Sequence, residues 1–185
     1  MAFVAWSQGV RWQFSGLSSY KIFPLFGLLA FSLIWSMYVV GFLRRRARVD
    51  ANEFRNYYKI LGVIILGAIL LHPSLLSWQL MRDGFGLPPG SIKENYVSPA
   101  LGWAVTLGML SWLVFITYEL RFKFKNKQWW KYVQYAGDAA IVAVFIHGLK
   151  LGGELQQGWF QVVWYFYGGI LLLVLVDTYY GKIKK

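Results

Sequence analysis

The chain contains two histidines, and each lies inside an apolar stretch where a polar side chain is costly. His72 occurs in "GAILLHPSLLSW" and His147 occurs in "AIVAVFIHGLKLGG". An imidazole nitrogen can form a hydrogen bond, carry a proton or bind a metal ion. A lone histidine in such a stretch is commonly a hydrogen-bonded packing residue, so a chemical role depends on whether these two form a pair.

The composition places both histidines in membrane-spanning helices. The 185 residues are 57% hydrophobic and only 15% charged, which is typical of an integral membrane protein. Five apolar segments have the ~20 residues that a helix needs to cross a bilayer. They cover about residues 22–43, 60–80, 98–118, 132–152 and 158–178. We therefore predict an all-α, five-helix transmembrane bundle over residues 22–181, with an interfacial N-terminal segment at 1–21 and a basic tail at 182–185.

The basic residues predict the orientation of this bundle. The net charge is +11, and the positive side chains are concentrated in residues 44–59, in residues 121–131 and at the C-terminus. Because basic loops are retained in the cytoplasm, the N-terminus is expected outside and the C-terminus inside, in a bacterial inner membrane. Clustering at helix ends favours a lipid partner over nucleic acid.

The two histidines are expected at one level of the bilayer. His72 lies 13 residues after Lys59, and His147 lies 16 residues after Lys131. At ~1.5 Å per residue these are heights of roughly 20 and 24 Å, in the outer half of the membrane. Two imidazoles at one level could bind the iron of a porphyrin from both sides. The chain has no cysteine, which excludes thiolate sites, and the lack of carboxylates at this depth disfavours zinc or a di-metal centre.

Neighbouring residues bear on the shape of such a site. Pro73 has no N–H to donate to the carbonyl of Ile69, so it allows a local kink. Four glycines could make room for a flat macrocycle or could serve helix packing. These glycines are Gly62, Gly67, Gly137 and Gly148.

Charged residues near the histidines suggest contacts for heme propionates. Lys150 lies one turn beyond His147 and could meet a propionate, or extend to the interface. Arg82 and Lys93, in the predicted outer loop, are further candidates. Asp138, one turn after Gln134, is predicted to form a structural hydrogen bond to another helix; a proton-carrying or quinone-binding role is the alternative.

The order of these features resembles the ferric reductase-like transmembrane family. The resemblance lies in "MYVVGFLRRR", "YYKILGVIILGAILLHPSLLSW", "YVSPALGWAVTLGMLSWLVFITYELRFK" and "KQWWKYVQYAGDAAIVAVFIHGLKL", within residues 30 to 175. It implies a b-type heme held by His72 and His147. Relatives commonly have a further histidine 13 residues before the second of these, for an inner heme. Gln134 stands there, which suggests one heme per chain.

The leading functional prediction is therefore a small membrane cytochrome b. It would pass electrons from a quinol or a flavoprotein to an acceptor at the outer face, as the electron-transfer subunit of an oxidoreductase and not as a self-sufficient enzyme. The sequence leaves open a quinone or flavin site near Gln134. The alternative is a cofactor-free accessory or assembly subunit of a larger membrane complex. A transporter ranks last because the spans carry few polar residues.

Overall fold

The computed structural model is helical throughout and contains no strand in the part of the chain that it describes. The described residues are 1–118, 120, 124–156 and 158–183, and for 51, 93, 94, 182 and 183 only the backbone is described. In the described part of the chain the α-helices are α1 (Ala2–Gly9), α2 (Ser19–Ala47), α3 (Arg55–Arg82), α4 (Gly90–Asn95), α5 (Gly102–Tyr118), α6 (Trp130–Leu151) and α7 (Trp159–Ile183). Short 3-10 helices cover Ala51–Phe54, Pro99–Leu101 and Gly153–Leu155.

Five of these helices are long and apolar enough to cross a membrane, which confirms the predicted number of spans. The candidate spans are Ser19–Ala47, Asn52–Arg82, Pro99–Tyr118, Trp130–Leu151 and Trp159–Gly181. Some extend beyond the apolar segments because charged residues continue the helix. In α2, three arginines (44–46) occupy the last turn, where positive charge is favourable beside the unpaired carbonyl groups.

Two antiparallel helix pairs form the frame of the bundle. The most extensive packing is of α2 against α3 and of α5 against α6, and each pair consists of spans that follow one another in the sequence. Helix α7 packs against α2 and closes the bundle on one side. At the end where α2 finishes, Arg46 forms an ion pair with Asp177 of α7, and Arg45 donates a hydrogen bond to Thr178.

The N-terminal segment folds back onto the end of the bundle where α2 begins. Helix α1 lies within the predicted interfacial segment, and its Trp6 is only 4% exposed because it packs into the main core. The Trp6 indole N–H donates to the carbonyl of Lys21 at 2.6 Å. On the other side, the Trp159 indole N–H donates to Gln8 Oε1 at 2.7 Å. Helix α1 is therefore fixed to both α2 and α7.

Pro73 leaves a carbonyl without its helical donor, and a tryptophan of the other helix pair supplies the replacement. The indole N–H of Trp112, on α5, donates to the carbonyl of Ile69 at 3.0 Å. Ile69 is four residues before Pro73, so its carbonyl is the acceptor that a proline cannot satisfy. A buried carbonyl without a partner is costly. The proline and the tryptophan therefore act together to join α3 to α5.

We predict that Trp112→Phe lowers the free energy of unfolding by ~1–3 kcal/mol, because it leaves the Ile69 carbonyl without a donor. In a Pro73→Ala background the backbone N–H at position 73 can replace the indole, so the loss should be clearly smaller. Unfolding in detergent, followed by circular dichroism, measures both effects. Trp103→Phe, at an exposed position on the same helix, is the matched control. Equal losses in both backgrounds would contradict the coupling.

Candidate functional site

The structure brings the two histidines together between the two helix pairs. His72 comes from α3 in the first pair and His147 from α6 in the second. Their ring centroids are 6.5 Å apart and their planes are inclined by 83°. Both rings line one cavity of about 950 Å³. The two histidines that the sequence predicts at one level are therefore close together in the structure, although no bond joins the rings.

A backbone carbonyl fixes each imidazole through its Nδ1 atom. Nδ1 of His72 lies 2.8 Å from the carbonyl oxygen of Phe23, and Nδ1 of His147 lies 2.8 Å from that of Ala104. Since a carbonyl can only accept, Nδ1 of each ring carries the proton and donates it. The lone pair is then on Nε2 in both rings. Within the described residues, neither Nε2 atom has a hydrogen-bond partner. This is the tautomer in which histidine binds a metal through Nε2.

A glycine four residues after each carbonyl makes room for the ring. A Cβ atom on Gly27 would lie 2.7 Å from Cε1 of His72, and a Cβ atom on Gly108 would lie 2.6 Å from Cε1 of His147. Both distances are too short for any side chain. Each histidine therefore packs on a carbonyl and a glycine of the helix with which its own helix is paired. The same three-part arrangement occurs once in each pair.

Sequence reasoning named other glycines. Gly148 lines the cavity, but a Cβ atom there would meet Trp164 at 2.9 Å, so it also allows close packing of α7. Gly67 has no atom within 4 Å of its Cβ position, and Gly137 has only Tyr118, at 3.9 Å. Gly27 and Gly108 were missed because only the pairing of helices shows which glycine faces which histidine.

The wall of the cavity is mostly apolar and aromatic. Its described lining includes Phe31 and Trp164, whose ring centroids are 4.2 Å apart, together with Trp112 and Met109. Charged and phenolic side chains line it as well. These are Arg11, Tyr20, Lys21, Tyr96 and Glu154. Burial, with the nearby negative charge of Glu154 adding to it, raises the pKa of Tyr96.

Two of the three cations that the sequence suggested for propionate contacts lie away from the cavity. Lys150 and Arg82 are exposed, and neither is among the residues that line the cavity. The side chain of Lys93 lies outside the described part of the structure. The sequence does not point to Arg11 and Lys21, because both are far along the chain from the two histidines and nothing in it shows that residues 1–18 fold back.

Asp138 joins three helices in the other half of the bundle. It accepts hydrogen bonds from Tyr38 of α2 and from Tyr179 of α7, both at 2.8 Å. The predicted structural hydrogen bond to a neighbouring helix is confirmed, and there are two of them. Gln134, one turn before Asp138, is exposed and does not line the histidine cavity.

Comparison of the chain with protein-family models, curated proteins and solved structures gives no match.

We predict that Gly27→Ala and Gly108→Ala each destabilise the protein by ~1–3 kcal/mol, because the new methyl group overlaps the histidine ring. Gly67→Ala, also within a span but with open space at the Cβ position, should be neutral or slightly stabilising. Thermal unfolding in detergent makes the comparison. Three indistinguishable variants would show that the rings move aside without cost.

Proposed function

We propose that this protein is a small membrane cytochrome b that holds one b-type heme between His72 and His147. The observation that carries the proposal is that both rings line one cavity with Nδ1 committed to a backbone carbonyl, which leaves Nε2 as the metal-binding atom of each. The class of protein is an electron-transfer subunit, not an enzyme complete in itself.

The arrangement of the rings fits a heme better than a bare metal ion. Two imidazoles bonded to one metal at ~2 Å have ring centroids roughly 6 Å apart, and the observed separation is 6.5 Å. No group of three or more His, Cys, Asp or Glu side chains that could hold a metal occurs among the described residues. A zinc ion would need more protein ligands than these two histidines provide. A porphyrin supplies the other four ligands itself.

Bound there, a heme would accept and give up one electron at a time. The protein's part is to hold and tune it. The carbonyls of Phe23 and Ala104 orient the imidazoles and make Nε2 a stronger ligand. The apolar wall, with Phe31 and Trp164, excludes water and so influences the reduction potential.

The direction of electron transfer follows from the proposed orientation. The basic stretches at 44–59 and 121–131 and the C-terminus would lie in the cytoplasm, which puts the histidine cavity near the outer face. Part of these stretches, including Arg121, Lys123 and residues 184–185, lies outside the described residues. A quinol or a flavoprotein would supply electrons, and an acceptor outside would take them. The quoted segments also resemble the heme-binding membrane subunit of the methionine sulfoxide reductase system, in the ferric reductase-like family.

We expect purified protein to show a Soret band, sharp reduced α and β bands, and one heme per chain by pyridine hemochrome assay. His72→Ala and His147→Ala should each abolish the low-spin spectrum, because each removes one of the two side chains that would hold the iron. Absorption spectroscopy of protein expressed with adequate heme supply measures this.

Asp138→Asn is the control, since Asp138 does not line the cavity and its loss should leave the spectrum nearly unchanged. Colourless wild-type protein would favour the cofactor-free accessory subunit. A low-spin spectrum retained in both alanine variants would show that the histidines are packing residues. Two hemes per chain would mean that another residue, such as Met37, has replaced the absent inner histidine, since Met109 lines the histidine cavity itself.

Reporter fusions test the proposed orientation separately. A fusion after residue 185 and one within 121–131 should both report the cytoplasm, whereas one within 83–101 should report the outside, because basic loops resist translocation. A C-terminus found outside would overturn the orientation, and with it the placement of the cavity near the outer face.

A further inference from the structure

Two cations line the histidine cavity on the side where the N-terminal segment lies. Among the described charged side chains of the lining, Arg11 and Lys21 are cationic and Glu154 is anionic. Two positive charges against one negative leave a net charge of +1. Neither cation forms an ion pair within the described part of the chain. The Glu154 carboxylate lies instead against α1, where its Oε1 is 2.9 Å from a Cβ position on Gly9.

A helix-terminating turn places Arg11 at the cavity. The N–H of Arg11 donates to the carbonyl of Gln8, and the N–H of Trp12 donates to that of Ser7, at 2.9 and 2.8 Å. This is the Schellman pattern, and Arg11 occupies its left-handed position with φ 54°. Glycine is the usual residue there because a side chain is strained in that conformation. An arginine in this position is therefore slightly less stable than a glycine would be, but it places a positive charge at the cavity.

The second cation is tied to the first through Trp6. The Trp6 indole donates to the backbone carbonyl of Lys21, so the start of α2 and the helix that carries Arg11 are held together. Gln8 receives the indole N–H of Trp159 on the other side. The segment that carries the two cations is therefore held to α2 by the hydrogen bond of Trp6 and to α7 by that of Trp159.

We infer that Arg11 and Lys21 form a carboxylate-binding pair, and that the carboxylates are the propionates of the porphyrin. The inference rests on the proposed function. Arg11 and Lys21 line the cavity and are themselves exposed, so they lie where it opens to the outside. A carboxylate is costly to bury without a partner, so the propionates would lie at this opening, beside the two cations. The Arg11 guanidinium can bind a carboxylate through two parallel hydrogen bonds, and Lys21 adds a point charge. A small carboxylate entering from solution has the same chemistry, and the experiment separates the two sources.

The test measures heme retention in the full-length protein. Arg11→Asn removes the charge and keeps a residue that tolerates the left-handed conformation, so the turn should still form. Transfer of heme to excess apomyoglobin should be ~10-fold faster in Arg11→Asn, and faster still with Lys21→Gln added. Arg11→Lys should restore part of the retention. The midpoint potential should fall in Arg11→Asn, because a positive charge near the heme favours the reduced form.

Matched controls lie elsewhere in the chain. Arg48 also has a left-handed backbone, with φ 57°, but it ends α2 and does not line the cavity, so Arg48→Asn should leave heme transfer unchanged. Arg82→Gln and Lys150→Gln, at the positions that the sequence suggested for propionate contacts, should also behave as wild type. The inference would be overturned if heme transfer became faster in Arg82→Gln or Lys150→Gln and stayed at the wild-type rate in Arg11→Asn.

Reconstitution with heme dimethyl ester identifies the source of the carboxylate. If Arg11 binds a propionate, esterification should speed heme transfer in the wild type and add little in Arg11→Asn. Additive effects would overturn the propionate assignment.

Calorimetric titration of heme-free protein with acetate tests binding of a small carboxylate from solution. Acetate binding that depends on Arg11, without any change in heme transfer, would assign the pair to a free carboxylate. A wild-type protein that takes up no heme would refute the proposed function and this assignment together, whereas normal heme with unaltered transfer in Arg11→Asn refutes only the assignment.

Discussion

The hydrogen bond from an imidazole Nδ1 to a backbone carbonyl of the paired helix is the constraint on which the site depends. It fixes the tautomer, sets the ring orientation and leaves Nε2 free. The glycine one turn after each carbonyl is needed because the ring lies directly against that helix. The apolar surroundings make this hydrogen bond more important, because an unpaired polar atom in lipid cannot form a hydrogen bond with water instead.

Tryptophan indoles serve a similar purpose between helices. Trp35, Trp112 and Trp164 each donate to a backbone carbonyl of another span, at 2.9, 3.0 and 3.3 Å. Inside a bilayer the burial of apolar surface contributes little to helix association, so close packing and interhelical hydrogen bonds have to replace it. The indole is suited to this because it combines a large contact area with a single donor.

Much of the architecture could be predicted from the sequence, and the limits have a physical reason. The five spans follow from hydropathy, and the shared level of His72 and His147 follows from the rise of a helix, because both are properties of one segment at a time. The contacts of Gly27, of Gly108 and of Arg11 depend on which helices pair and on how residues 1–18 fold back. Those are relations between distant segments. Proximity in the sequence suggested Lys150, which lies off the cavity wall.

Each half of the histidine site is contained in one hairpin of consecutive spans. The first hairpin holds His72 with its carbonyl and its glycine, and the second holds His147 with the equivalent pair. In stepwise membrane insertion, each hairpin can form as soon as its second span has entered the bilayer. Both imidazoles would then be oriented before the two halves meet. Formation of the site then becomes the docking of two preformed surfaces, each with its imidazole already oriented.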